Sequence, residues 1–319
     1  MRVRIWLGVF MALNVVLDVG LFGLSKYLWS TEGFHFTVLL SALHSLSATL
    51  ATRVLRLRGI LADKPIPFGH AARLAAGAVG SMGFMTLSLA TNSVGFYTFS
   101  KLACLPASLA LEWYWHGKVV SKLVKASVVA LLVGASMATV YDVSVSMAGT
   151  IYAVCDIFAT VYFQIMSNRY YRELKCNELQ LLHHVAPLMC LGTAPLIPLF
   201  DDMVWLRDYD WLPQVYGLLF ISCVLALAVQ ITSFLVLGNA SPTTYQVLGY
   251  MKAFLILKMG YTLFRSPLDS RNTLGMVIAL LGALMYAEGT RLGAATNEVS
   301  AVTPAQIWET EKLKSPSRV

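Results

Sequence analysis

The chain has 319 residues, 57% of them hydrophobic and 13% charged, with a mean hydropathy of +0.65. A soluble domain carries about 25% charged residues, so composition argues against a soluble globule and for a multi-pass membrane protein. The formal net charge of +7 is shared among short loops rather than gathered in one basic face, which excludes nucleic acid as its explanation.

The first apolar run, 5–28, follows Arg2 and Arg4 and lacks a small-residue cleavage site. It is expected to be a retained span rather than a signal peptide. Further runs follow at 34–55, 71–91, 93–115, 123–141, 147–167, 178–200, 213–237, 240–263 and 272–291. Runs of about 20 residues cross roughly 30 Å of hydrocarbon as helices. In lipid they must be helices, because backbone groups there need internal partners. The predicted fold class is therefore all-α: a polytopic membrane protein of ten transmembrane helices. Connections such as "TN" at 91–92 and "GNA" at 238–240 predict tight antiparallel hairpins. The segment 294–319 is polar and unpatterned and is expected to be a disordered tail. The five cysteines show no metal or disulfide spacing and read as small hydrophobes.

Ten spans put both termini on one side. The loops on that side hold 17 Lys and Arg, the opposite loops hold 4, and Lys101, Lys252 and Lys258 fall inside spans. The positive-inside rule then predicts cytosolic termini. The acidic loop "DDMVWLRDYD" at 201–210 falls on the far side.

A shift of 148 superposes Ser93 on Ser241, Tyr97 on Tyr245, Gly134 on Gly282 and Met137 on Met285. The fourth and fifth spans thus match the ninth and tenth. Five spans per half give the halves opposite orientation, so two inverted five-helix repeats are expected, at 1–144 and 145–293. Inverted repeats are a common transporter plan, with the substrate site at their interface near the bilayer midplane. Small residues in the fifth and tenth spans predict close helix packing, between halves or between protomers of a homodimer.

The most informative residues are two lysines inside apolar runs. A lysine at the centre of a spanning helix costs about 2.5–3.5 kcal/mol on insertion scales, so it faces a cavity or a partner. Lys101 lies eight residues into its span, or about 12 Å deep at the helical rise. Lys252 lies twelve into its own, about 18 Å from the other face. Both reach mid-depth on helices related by the repeat. One reading is a receptor for a polyanion such as a phosphate or pyrophosphate. The other is internal pairing, with Asp18 on the first span and Asp156 on the sixth as partners. Glu112 lies about 16 Å along the helix from Lys101, too far for a direct bridge.

Tyr97, four residues before Lys101, and Tyr245, seven before Lys252, share a helical face with their lysines. They offer stacking surface and hydroxyls to a base or sugar. Ser241, Thr244, Gln246 and His44 complete the candidate substrate-binding set. For His44, Gln164, Gln230 and Asn14, an interhelical hydrogen bond is an equal reading. His183 and His184 point about 100° apart on a helix and make a poor metal site. No GxSxG, HExxH or P-loop pattern occurs, and the loops are too short for a catalytic domain. No enzyme activity, metal or cofactor is expected.

"SVGFYTFSKLACLP", continuing to Glu112, and "SPTTYQVLGYMKAFLIL", Ser241 to Leu257, resemble the fourth- and ninth-span signatures of the triose-phosphate translocator and nucleotide-sugar transporter family, within the drug/metabolite transporter superfamily. "NELQLLHHVAPLM" at 177–189 and "YDV" at 141–143 fit the same family. Within it, the likeness is to plant UDP-sugar transporters and an E-type branch of solute carrier family 35. The resemblance implies antiport by alternating access and phosphate contacts through Lys101 and Lys252. Ala253 departs from it, since plastid members carry Arg there and a common nucleotide-sugar subgroup carries Thr. Losing that Arg removes a bidentate phosphate clamp, which argues against a small bare phosphate ester.

The expected function is exchange of a nucleotide sugar, a UDP-sugar, for a nucleoside monophosphate across a Golgi or endoplasmic-reticulum membrane. Obligate exchange is expected because anion binding would neutralise two facing ammonium groups. The alternatives are transport of another phosphorylated metabolite, such as a sugar phosphate or phosphoenolpyruvate, and a non-transporting membrane scaffold.

Overall fold

A computed structural model describes residues 2–62, 64–92, 100–116, 120–139, 146–264 and 270–300. Among the described residues there is no β-strand. The long helices are α1 (Arg2–Ser30), α2 (Thr37–Leu57), α3 (Phe68–Thr91), α4 (Cys104–His116), α5 (Lys122–Thr139), α6 (Met147–Leu174), α7 (Glu178–Thr193), α8 (Pro213–Asn239), α9 (Pro242–Phe264) and α10 (Ser270–Ser300). Among the described residues, five helical segments are long and apolar enough to cross a membrane: Trp6–Ser30, Thr37–Leu57, Met147–Leu174, Glu178–Phe200 and Pro213–Asn239.

Local chemistry sets several helix ends. Ser146 caps α6, its hydroxyl accepting from the Gly149 N–H at 3.0 Å. Lys175 ends that helix in the left-handed region, at φ 47°. A capping box opens α7: Asn177 Oδ1 accepts from Gln180 N–H, and Gln180 Oε1 accepts from Asn177 N–H, which satisfies two orphan donors at once. Pro187 sits inside α7, and Pro195 and Pro198 follow it. The expected span 178–200 therefore ends as a 3-10 turn, Ala194–Leu196, and a short helix, Ile197–Phe200. The acidic stretch after it is ordered by its own carboxylates. Asp201 accepts from the Val38 and Leu39 N–H groups at the start of α2, and Asp202 caps the short helix Met203–Asp208. At the other end of the chain, α10 continues to Ser300, past the boundary at 293 expected for the tail; residues 301–319 lie outside the described set.

Packing follows a paired scheme. The pair α1–α8 is matched by α6–α3, α1–α9 by α6–α4, and α2–α8 by α7–α3. α2 packs on α7, α4 on α9 and α5 on α10. Leu74, Val161, Ile165, Leu181 and Val185 centre the main core. Leu105, Leu131, Tyr250 and Ala279 centre a second one, where α5 and α10 meet α4 and α9. In α10 the buried positions Ala279, Gly282, Ala283, Tyr286 and Gly289 form one stripe, while Val277, Leu281 and Leu284 face outward. An apolar outer face and a small-residue seam are what a helix in lipid presents.

At its end, α4 is tied to the start of α9. Glu112, 4% exposed, accepts from the Thr243 N–H at 3.1 Å and the Thr243 hydroxyl at 2.9 Å. This bond explains why a glutamate far from Lys101 is tolerated in an apolar run.

Candidate functional site

Each of the two intramembrane lysines is held by a carboxylate from another helix. Lys101 Nζ lies 2.6 Å from Asp156 on α6 and also donates to the Thr160 hydroxyl at 3.2 Å. Asp156 Oδ1 accepts from Ser81 on α3 at 2.8 Å and from Thr160 at 3.1 Å. Lys252 Nζ lies 2.7 Å from Asp18 on α1 and 5.2 Å from the centre of the Tyr245 ring, within cation–π range. The Tyr245 hydroxyl donates to Ser233 on α8 at 3.1 Å. Asn14, one turn before Asp18, donates to Thr232 and Ser233 on α8.

Between these two clusters lies a cavity of about 290 Å³. Ser81 and Thr160 from the Lys101 cluster and Tyr245 and Ser233 from the Lys252 cluster stand in its wall. A second cavity of about 290 Å³, bordered by Ser41, His44, Ser45 and Thr193, shares Ala78, Met189 and Gln230 with the first. Each sits at the lower edge of the roughly 300–1,000 Å³ range of small-molecule sites, and Gln230 stands in the wall of both. The Gln230 amide donates weakly to the His44 carbonyl at 3.5 Å, and its buried Oε1 has no partner among the described residues.

The structure gathers only part of the residue set read from the sequence. Tyr245 lies beside Lys252, as its spacing requires. His44 borders the second cavity and meets Ser222 at 3.2 Å. Ser241 and Thr244 are occupied elsewhere: the Ser241 hydroxyl accepts from the Thr244 N–H as a helix cap, and Thr244 reaches Tyr286 on α10. Gln246 donates to Gln164 on α6 at 2.9 Å, an interhelical bond. Tyr97 and the Lys258 side chain lie outside the described residues. Ser81, Thr160 and Ser233 were not singled out from sequence. Thr160 carries a readable signal, standing four residues after Asp156 on the same helical face; Ser81 and Ser233 carry none.

The chemistry available is anion binding by two lysines whose charges are already balanced. Bare, facing ammonium groups, the basis for expecting obligate exchange, are not what the structure contains; the pairing read as the alternative is present for both. The two partners, Asp18 and Asp156, are the residues named for that alternative.

The profile of the Triose-phosphate Transporter family matches residues 2–287. The chain belongs to the triose-phosphate transporter family. It is 34% identical over 281 residues to UDP-xylose transporter 3 of Arabidopsis thaliana, covering 86% of this chain and 78% of that protein. It is also 34% identical over 280 residues to UDP-rhamnose/UDP-galactose transporter 1 of the same plant, covering 86% and 81%. A solved crystal structure superposes with a TM-score of 0.67 at 11% identity, covering 86% of this chain and 98% of the other, which speaks to the fold alone. As a member of this transporter family, the chain is a multi-pass membrane protein.

Proposed function

We propose that this protein exchanges a UDP-sugar for a nucleoside monophosphate across a Golgi or endoplasmic-reticulum membrane by alternating access. The observation that carries the reading is the cavity between the two lysine clusters, each supplied by one helix from either half of the chain: α4 with α6, and α9 with α1. The names of its Arabidopsis relatives, transporters of UDP-xylose and of UDP-rhamnose and UDP-galactose, favour a UDP-sugar over a bare phosphate ester. Ala253 after Lys252 points the same way, since it supplies no guanidinium fork.

The paired packing supports ten spans as two inverted halves, because α1–α8 with α6–α3 and α1–α9 with α6–α4 are the contacts that a two-fold relation between halves requires. In this reading the diphosphate lies between Lys101 and Lys252. The uridine and sugar lie in the first cavity against Tyr245 and Gln230, both of which line it. The Gln230 amide offers one donor and one acceptor, which complements the imide edge of uracil. The monophosphate product carries a charge of about −1.5 to −2 at neutral pH, close to that of the diphosphate ester it replaces, so exchange moves little net charge.

Proteoliposomes loaded with UMP, GMP or nothing test the reading. Uptake of labelled UDP-sugar is expected to be fastest into UMP-loaded vesicles, and Lys252→Ala is expected to lower it to background; Lys101→Ala alone would strand the buried Asp156 carboxylate, so the Lys101→Ala, Asp156→Asn double variant is used in its place and is expected to fold and to give background uptake. Equal uptake into empty vesicles would sink the exchange mechanism. Uptake of phosphoenolpyruvate or triose phosphate in place of any nucleotide sugar would favour the other metabolite class. Wild-type vesicles that transport nothing would leave a membrane scaffold as the better account.

A further inference from the structure

The two cavities share a wall made of Ala78, Met189 and Gln230. That wall can yield. Alanine is small, methionine is unbranched and adaptable, and Gln230 is loosely held. Among the described residues the Gln230 amide makes one bond, to the His44 carbonyl at 3.5 Å, and its buried Oε1 makes none.

The cavities differ in chemistry. Phe163, Phe234 and Tyr245 give the first an aromatic surface. The second is bordered by Ser41, His44, Ser45 and Thr193, and none of its lining residues is Lys, Arg, Asp or Glu. It therefore offers a phosphate no lysine or arginine. Two of its hydroxyls commit their proton to their own helix: Ser41 donates to the Thr37 carbonyl at 3.0 Å and Thr193 to the Met189 carbonyl at 2.9 Å. What remains to them is lone pairs. An uncharged wall that offers acceptors suits a neutral group that brings a hydroxyl donor, because a polar group is buried without loss only when it is hydrogen-bonded.

We propose that the second cavity is a subsite for the outer edge of a hexose: the hydroxymethyl group of a UDP-hexose passes Gln230 and donates to Ser41 or Thr193, so these hydroxyls tell a hexose from a pentose. The inference rests on the nucleotide-sugar reading, in which the sugar lies against Gln230, and deepens it by naming the class of sugar. As the Gln230 amide turns to the uracil edge it releases the His44 carbonyl, and the wall opens. A pentose ends at its ring and leaves the acceptors beyond to water. A hexose places a further hydroxyl among them, and the rest of the space, about 290 Å³ in all, holds the water that satisfies the remaining oxygens. A site that hydrogen-bonds a substrate hydroxyl rejects the analogue lacking it more strongly than an apolar pocket does.

The test is exchange of UDP-glucose and of UDP-xylose, which differ by one hydroxymethyl group, into UMP-loaded proteoliposomes, alongside UMP binding to the same protein in nanodiscs. In the wild type, kcat/KM is expected to be about tenfold higher for UDP-glucose. Thr193→Val keeps nearly the same shape but removes an acceptor, and should cut that ratio about fivefold. Ser45→Leu fills the cavity and should bring the ratio to about one or below. In both variants UDP-xylose exchange and UMP binding should stay near the wild-type level. A merely structural role would not produce this split, since lost stability lowers both sugars together.

A wild-type ratio at or below one overturns the proposal, and so do variants that lower both sugars equally. If Ser45→Leu does not fold, Thr193→Val decides alone. Wild-type UMP binding and exchange of both sugars, with a ratio that neither variant changes, would overturn the subsite and leave the nucleotide-sugar reading standing. No UMP binding and no uptake of either sugar by the wild type would overturn both.

Discussion

At the scale of single residues, Tyr245 separates two kinds of contact. Its ring stands 5.2 Å from Lys252 Nζ, and its hydroxyl bonds Ser233 at 3.1 Å. A desolvated cation–π contact is worth about 1–2 kcal/mol, whereas an ordinary hydrogen bond contributes about 1 kcal/mol to stability. Tyr245→Phe should therefore keep UMP affinity near that of the wild type and lower only the thermal midpoint slightly. Tyr245→Leu should weaken UMP binding roughly tenfold, as the ring that orients Lys252 is gone. Equal loss in both variants would move the role from the ring to the hydroxyl. Much of this site is legible in sequence. Lysines in apolar runs announce themselves by their insertion cost, and Asp18 and Asp156 stand out as carboxylates in the same kind of run. Which carboxylate lies deeper among its neighbours depends on the adjacent helices, and no spacing encodes it. Ser241 and Thr244 look like ligand hydroxyls beside a lysine motif, yet the Ser241 hydroxyl caps α9 and the Thr244 hydroxyl meets Ser241 and Tyr286. The cap competes for the same residue types, and only the helix start decides between them.

At the scale of elements, the α5–α10 seam is set by glycines whose missing side chains let backbones touch. A Cβ on Gly282 would lie 2.7 Å from the Leu131 N and 3.1 Å from the Leu131 Cγ. A Cβ on Gly134 would press on the Ala279 backbone in the same crossing, 2.6 Å from the Gly275 carbonyl oxygen. Gly282→Val should force the helices apart and lower the thermal midpoint measurably. Leu281→Val, one position away on the outward face, should leave it nearly unchanged. Equal effects would mean that the seam is not tight. The repeat is visible in sequence here because Gly134 and Gly282 keep one register, as close packing demands small residues at fixed positions. Helix lengths are less legible. α6 runs on to Leu174 beyond the apolar run that ends at 167, because polar residues can extend a helix past the hydrocarbon. α7 breaks at prolines whose effect on the last turn is not fixed by hydropathy.

At the scale of the whole molecule, the loop charges predict the orientation. With 17 basic residues on the side of the termini and 4 opposite, both ends should face the cytosol. Tags on the N- and C-terminus of the protein in sealed microsomes should both be open to protease from outside. Protection of either tag would mean that the span count is odd or the orientation reversed.

Glu112 carries one more consequence. Its carboxylate, sealed from water, grips both the N–H and the hydroxyl of Thr243. It works as a bolt across the seam between α4 and α9. Any swing that separates those helices must first draw it, removing two donors from a buried charge, which is expensive. In the exchange cycle proposed above, a swing that parts α4 from α9 would meet this joint at a place remote from both ammonium groups, so a carrier with a perfect anion grip would still wait for it to let go.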